Sequence, residues 1–156
     1  MRHSGLQREN CSIARTVAVL GERWTLVILR EAFNRRRRFE DIQRDLGIAR
    51  NILADRLQRL VAEGILERRA YQQRPERFEY RLTDKGRDLY PVLIALMQWG
   101  DRYTAGEAGP PVELIHEPCG EQTHPRLVCD HCGEPIDPRD VRPQPGPGLL
   151  ATAPSA

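Results

Sequence analysis

Four side chains near the C-terminus have the types and spacing of metal ligands. His116-Glu117-Pro118-Cys119-Gly120 and Cys129-Asp130-His131-Cys132-Gly133 each carry two donors with two residues between them and a glycine directly behind. Tetrahedral zinc is held by such turns, because paired side chains converge on the ion and glycine lets the turn close without a Cβ clash. Nine residues separate Cys119 from Cys129, enough for a short hairpin connection. Four protein donors leave no open coordination position, so His116, Cys119, Cys129 and Cys132 are expected to hold a structural Zn2+, with iron the other metal such a set can take, His124 a spare donor that could replace His116, and His131 facing solvent. Two plainer readings stand beside this one: an acidic tail with incidental cysteines, and a redox-active Cys-x-x-Cys pair.

A second set of residues has the chemistry of hydrogen-bonded recognition. Arg50, Asn51, Gln58 and Arg59 recur at helical spacing, with Asp55 among them. Asn, Gln and Arg are the side chains that make bidentate contacts to adenine or guanine edges in the major groove. Arg69, Arg74 and Arg77 follow at strand spacing, and Arg37 and Arg38 end a run of four arginines, all suited to phosphate oxygens. Each cluster alone is more often an ordinary solvated face; their joint placement favours a polyanion. Asp55 argues against phosphate contact at its own position. Cys11 stands apart, at the start of an expected helix whose dipole favours a thiolate, with Arg8 and Arg15 helping and Glu9 opposing. A small buried cysteine is the plainer reading there.

These residues need elements to position them. Residues 11–20 read as a helix ending at Gly21, and 24–33 as a second in which Trp24, Val27, Ile28 and Glu31 share one stripe. The arginines at 35–38 break the pattern. Residues 39–46 form a short helix with Phe39, Ile42 and Leu46 inward, and Gly47 is placed to supply a left-handed residue at its end. A further helix runs from 49 or 50 to 63, with Leu53, Leu57, Leu60 and Val61 on one side and Gly64 as its stop. That side leaves Asn51, Asp55, Gln58 and Arg59 pointing away from the core. From Ile65 the period becomes that of strands, and a hairpin through Tyr71, Pro75 and Phe78 is expected. Thr83 can then cap one long helix reaching Tyr103, bent by Pro91 or left with a free carbonyl there.

Composition supports a two-part chain. The first 105 of the 156 residues hold 21 Lys+Arg against 14 Asp+Glu, whereas the remainder holds 3 against 8. The basic part has the sign expected for a polyanion partner. No apolar run approaches the roughly 18 residues of a membrane span, and no apolar stretch follows the N-terminal charge, so a cytoplasmic protein is expected. In that reducing setting the cysteines read as metal or thiol chemistry before disulfides. Catalysis has little support: before residue 105 there is one histidine, His3, and one cysteine, with no Gly-rich phosphate loop and no nucleophile arrangement.

Short helix, glycine turn, amphipathic helix and hairpin is the order of a helix-turn-helix with a wing. Cys11-Ser12-Ile13-Ala14, Gly21-Glu22-Arg23-Trp24-Thr25-Leu26, Arg38-Phe39-Glu40-Asp41-Ile42, Leu53-Ala54-Asp55-Arg56-Leu57, Glu79-Tyr80-Arg81-Leu82-Thr83 and Leu93-Ile94-Ala95-Leu96-Met97-Gln98-Trp99-Gly100 together resemble the HxlR-type winged-helix regulators, relatives of the MarR group. The resemblance covers about residues 11 to 104. It implies a homodimer held by the N-terminal helix and the long helix after the wing, with helix 50–63 in the major groove and the wing near the minor groove of a double-stranded operator. Cys11 occupies the position of a cysteine that some such regulators use to sense oxidants. Ala49 departs from the pattern, a serine being common there; a hydroxyl would cap the helix and could bond a phosphate.

The expected architecture is therefore mainly α with a small β-hairpin. A flexible segment 1–10 precedes a winged-helix domain over 11–104. A linker at 105–111 leads to a zinc-ribbon-like knuckle over 112–142 and a disordered tail at 143–156. The expected function is a homodimeric, sequence-specific transcriptional regulator acting as a repressor. The alternative is a winged-helix module that binds protein and carries a structural zinc.

Overall fold

The computed structural model describes residues 10–150. The flexibility expected for residues 1–9 and the disorder expected for 151–156 concern positions outside the described residues. The chain divides into two compact units, Met1–Met97 and Gln98–Ala156.

The first unit opens with α1 (Ser12–Leu20) and α2 (Thr25–Phe33). Between them Trp24 sits at φ 82°, in the left-handed region. This region costs a residue with a Cβ about 1–2 kcal/mol. Packing of the half-buried indole against the core and the Arg23 guanidinium 5.6 Å from its ring offset that cost. α3 (Phe39–Leu46) and α4 (Arg50–Ala62) follow, and Gly47 between them has φ 60°, as its position predicts. Leu53, Leu57 and Leu60 lie on one face of α4 and are almost wholly buried against Ile28, Leu29, Ile42, Ile48, Ile65 and Leu66. Truncating any one of the three to alanine costs about 2–5 kcal/mol.

Gly64, at φ 67°, ends the turn after α4 and leads into β1 (Leu66–Gln73). β1 pairs antiparallel with β2 (Glu76–Leu82) from Leu66↔Leu82 to Gln73↔Glu76, with an irregularity between Ala70 and Gln72. The loop before α3 joins this hairpin: Arg38 bridges Glu79, and the Tyr80 amide donates to the Arg37 carbonyl at 2.7 Å. The arginine run is thereby fastened along the edge of the hairpin.

The one long helix expected after the hairpin is instead two. Thr83 caps only α5 (Asp84–Arg87), its Oγ1 accepting from the Gly86 amide at 3.1 Å, and α6 spans Tyr90–Thr104. Pro91 has no N–H to donate to the carbonyl four residues earlier, so the helix is interrupted ahead of it, and Pro91 occupies the first turn of α6, where that lack costs nothing. Packing fixes α5 from the other side. A Cβ on Gly86 would stand 2.2 Å from the Ile65 carbonyl oxygen, so this turn can lie against Ile65, the residue ahead of β1, only with glycine there.

In the second unit, β3 (Ile115–His116) pairs with β4 (Glu121–Gln122) across a turn that contains Cys119. Val128 and Pro135 form an isolated bridge across a second turn that contains Cys129 and Cys132. Among the described residues from 106 to 149 none is buried. The tail expected to be disordered carries one helical turn, α7 (Pro147–Leu150).

Candidate nucleic-acid interface

α4 presents Asn51, Ala54, Asp55 and Gln58 to solvent, opposite its leucine face. Asn51 and Gln58 are seven residues apart, two turns along one side of the helix, so their amides point the same way. Arg50 is exposed at the N-terminus with its guanidinium 4.8 Å from the Phe39 ring centroid. Stacking of this kind orients an arginine without consuming its donors. Ala49, the N-cap residue, supplies no side-chain hydrogen bond to the first turn, which leaves the amides there to other acceptors.

Arg59 departs from its expected place. Helical spacing puts it on the open face with Gln58, yet its Nη2 donates to the Ala18 carbonyl at 2.8 Å and its Nη1 lies 3.5 Å from the Glu22 carboxylate. Ala18 is in the last turn of α1, where carbonyls lack helical partners, so Arg59 caps that helix and is drawn away from the face that exposes Asn51 and Gln58. Arg56 acts beside it, pairing with Glu22 at 2.9 Å and with Asp55. Asp55 is thus half of a surface ion pair whose arginine is shared with Glu22.

On the hairpin, Arg69, Arg74 and Arg77 are all exposed. Arg69 pairs with Glu67 at 2.7 Å across half-exposed side chains, an interaction of about 0–1 kcal/mol that a phosphate can replace. Arg74 lies at the tip and holds the turn through its carbonyl, which accepts from Gln72 Nε2 at 3.0 Å. Arg38 stacks on Tyr71 at 4.6 Å. Arg37 is exposed and borders an open trough of about 550 Å³ lined by Arg35, Arg69, Arg81 and Arg87, with Glu67 and Asp84 the carboxylates present. Cations outnumber anions there, which concentrates positive potential between the loop and the wing. Sequence spacing did not indicate Arg81 and Arg87 as members of this trough; both face it only because β2 turns into α5.

Cys11 is exposed and free, as the N-cap of α1. In the second unit, His116 Nδ1 is 3.2 Å from Cys119 Sγ. The Cys129 thiol is held below its ordinary pKa by the backbone amides of Cys132 and then His131, and by the Cys132 side chain. Among the described residues no three His, Cys, Asp or Glu side chains gather into a group that could hold a metal, so the four expected ligands stand as two separate pairs. Nor is any described helix long and apolar enough to cross a membrane.

The arrangement of α3, a left-handed glycine, α4 and a two-stranded wing defines a winged helix-turn-helix protein. The HxlR-like helix-turn-helix family matches residues 19–108, and the chain belongs to that family of transcriptional regulators, which are not enzymes. An uncharacterized HTH-type transcriptional regulator of Mycobacterium tuberculosis is 52% identical over 143 residues, 92% of this chain and 90% of the relative. Among solved structures, PA1607, a candidate transcription factor, superimposes with a TM-score of 0.80 at 35% identity, covering 90% of this chain and 98% of that one. The redox regulator HypR in its reduced form gives a TM-score of 0.56 at 30% identity, over 59% of this chain and 92% of its own.

Proposed function

We propose that this regulator is a homodimeric repressor that reads a double-stranded operator by laying α4 in the major groove, with the β1–β2 wing and the 35–38 loop on the flanking phosphates. The observation that carries this reading is the division of labour on α4. Its leucine face is buried, Arg56 and Arg59 are tied to Glu22, and the amides of Asn51 and Gln58 are left exposed beside Arg50.

A dimer is supported by apolar side chains that face solvent. On α6, Val92, Leu96, Trp99 and Tyr103 are 42%, 48%, 62% and 64% exposed at spacings of four, three and four residues, one continuous helical stripe. On α1, Ile13 and Val17 are exposed as well. Monomeric proteins rarely leave large contiguous apolar faces in water, and a two-fold partner of the same sequence covers such a face.

The test is DNA affinity as a function of salt. Arg74→Ala should weaken binding to all sequences alike and reduce the salt slope by about one. A chain that associates only with protein would show neither a steep slope nor a change in it.

A second reading concerns regulation. Cys11 is exposed, free and at a helix start, and HypR, a redox regulator, shares this fold. Oxidation of Cys11 as the signal that releases the operator is the effector mechanism these observations favour.

A further inference from the structure

We propose that His116, Cys119, Cys129 and Cys132 bind one zinc ion per chain and that the metal joins the two turns of the second unit into one ribbon. This goes beyond DNA binding and does not depend on it.

Each turn already has the form of half a zinc site. In the first, the Cys119 and Gly120 amides donate to the His116 carbonyl at 3.1 and 2.8 Å, Gly120 is left-handed at φ 73°, and β3 and β4 pair on either side. In the second, the Gly133 amide donates to the Cys129 carbonyl at 2.9 Å and the Cys129 amide to the Glu134 carbonyl at 2.8 Å, with Gly133 at φ 76°. A Cβ at either glycine would meet no atom within 4 Å, so these glycines serve backbone conformation and not close packing. The two turns are thus built alike, and both run Cys-Gly-Glu from the second ligand, at residues 119–121 and 132–134.

The first pair stands at hydrogen-bond distance, somewhat inside the spacing a metal would set. With Zn–N of about 2.0–2.1 Å and Zn–S of about 2.3 Å, the edge of a tetrahedral site between nitrogen and sulfur is roughly 3.6 Å. His116 Nδ1 and Cys119 Sγ stand 3.2 Å apart, with Nδ1 the nitrogen turned to the sulfur. Residues 120–128, which connect the pairs, can extend to roughly 30 Å, so the chain does not prevent their meeting.

The segment also lacks another source of order. None of its described residues from 106 to 149 is buried, and Ile115, Leu127, Val128 and Ile136 are 47–71% exposed. Turns this regular without a core are the usual property of small metal-stapled modules. Binding converts the three cysteines to thiolates, releases their protons to solvent and leaves His116 neutral, for a site charge of −1. No position is left for substrate, so the ion is structural.

A 143-residue match within 156 residues necessarily spans these positions, so the mycobacterial relative has an equivalent segment for comparison. The experiment uses untagged, full-length, freshly reduced protein, with elemental analysis and cobalt(II) in place of zinc. The expected result is one equivalent of zinc, a cobalt spectrum of tetrahedral coordination with sulfur-to-metal charge transfer, and protection of residues 112–142 from protease until a chelator is added. Cys129→Ser and His116→Ala should each lower zinc affinity at least tenfold, while His124→Ala leaves it unchanged. Unaltered helical circular dichroism in each variant shows that the first unit is folded. Metal-free or iron-loaded protein, with Cys119, Cys129 and Cys132 all freely alkylated, would overturn the assignment. So would an unchanged zinc affinity in Cys129→Ser.

Discussion

Arg59 and Gln58 are neighbours in sequence, but the fold gives them opposite tasks. Gln58 keeps its amide in water, whereas Arg59 spends its donors on the Ala18 carbonyl and Glu22. Arg59→Ala should therefore lower stability by about 1 kcal/mol through loss of a charge-assisted hydrogen bond, seen as a reduced denaturation midpoint, with operator base preference unchanged. A changed base preference at full stability would return Arg59 to the reading face. Periodicity could not have found this, because it locates the buried face of one helix and is blind to a carbonyl on another. Cys11 makes a separate prediction. A mild oxidant should release wild-type protein from its operator and leave Cys11→Ser bound; equal release of both disposes of the sensor. The alternative reading of Cys11 as a small buried cysteine is not what the fold shows, since it is exposed.

At the scale of elements, legibility followed locality. α3, Gly47 and α4 were evident because capping, a left-handed glycine and leucine spacing all act within a few residues of one another. The pairing of the arginine run with β2 was not, because the contact between Arg38 and Glu79 spans half the domain in sequence. The split between α5 and α6 lies between these cases. Pro91 marked a disturbance, but its position upstream depends on Gly86 lying against the Ile65 carbonyl, a tertiary contact. Gly86→Ala should cost about 1–3 kcal/mol, because a Cβ 2.2 Å from the Ile65 carbonyl oxygen forces the turn away from that residue. Thermal unfolding measures this directly. Wild-type stability in that variant would mean that α5 is free to move and that the close approach does not fix the helix break.

At the scale of the molecule, the charge asymmetry between the two parts of the sequence matches a division of tasks. The arginines that line the trough and wing belong to the first unit, and the acidic second unit carries the paired donors. The ligand pattern was readable from spacing alone; that the structure leaves the donors as two separate pairs was not, since spacing within each turn says nothing of the distance between turns. Under the proposed function, exposed amides on α4 read bases while wing arginines hold phosphates. The most direct test is selection of bound sequences from a random duplex library at fixed salt, by wild-type protein, Asn51→Ala, Gln58→Ala and Arg74→Ala. Wild type should enrich a near-palindrome with half-sites about 10 base pairs apart, as two-fold-related helices in successive major grooves require. Asn51→Ala and Gln58→Ala should each lose preference at particular positions, worth about 1–3 kcal/mol, while Arg74→Ala recovers the same motif with uniformly lower affinity. The same motif from all four proteins, or no motif from any, would contradict base reading by α4.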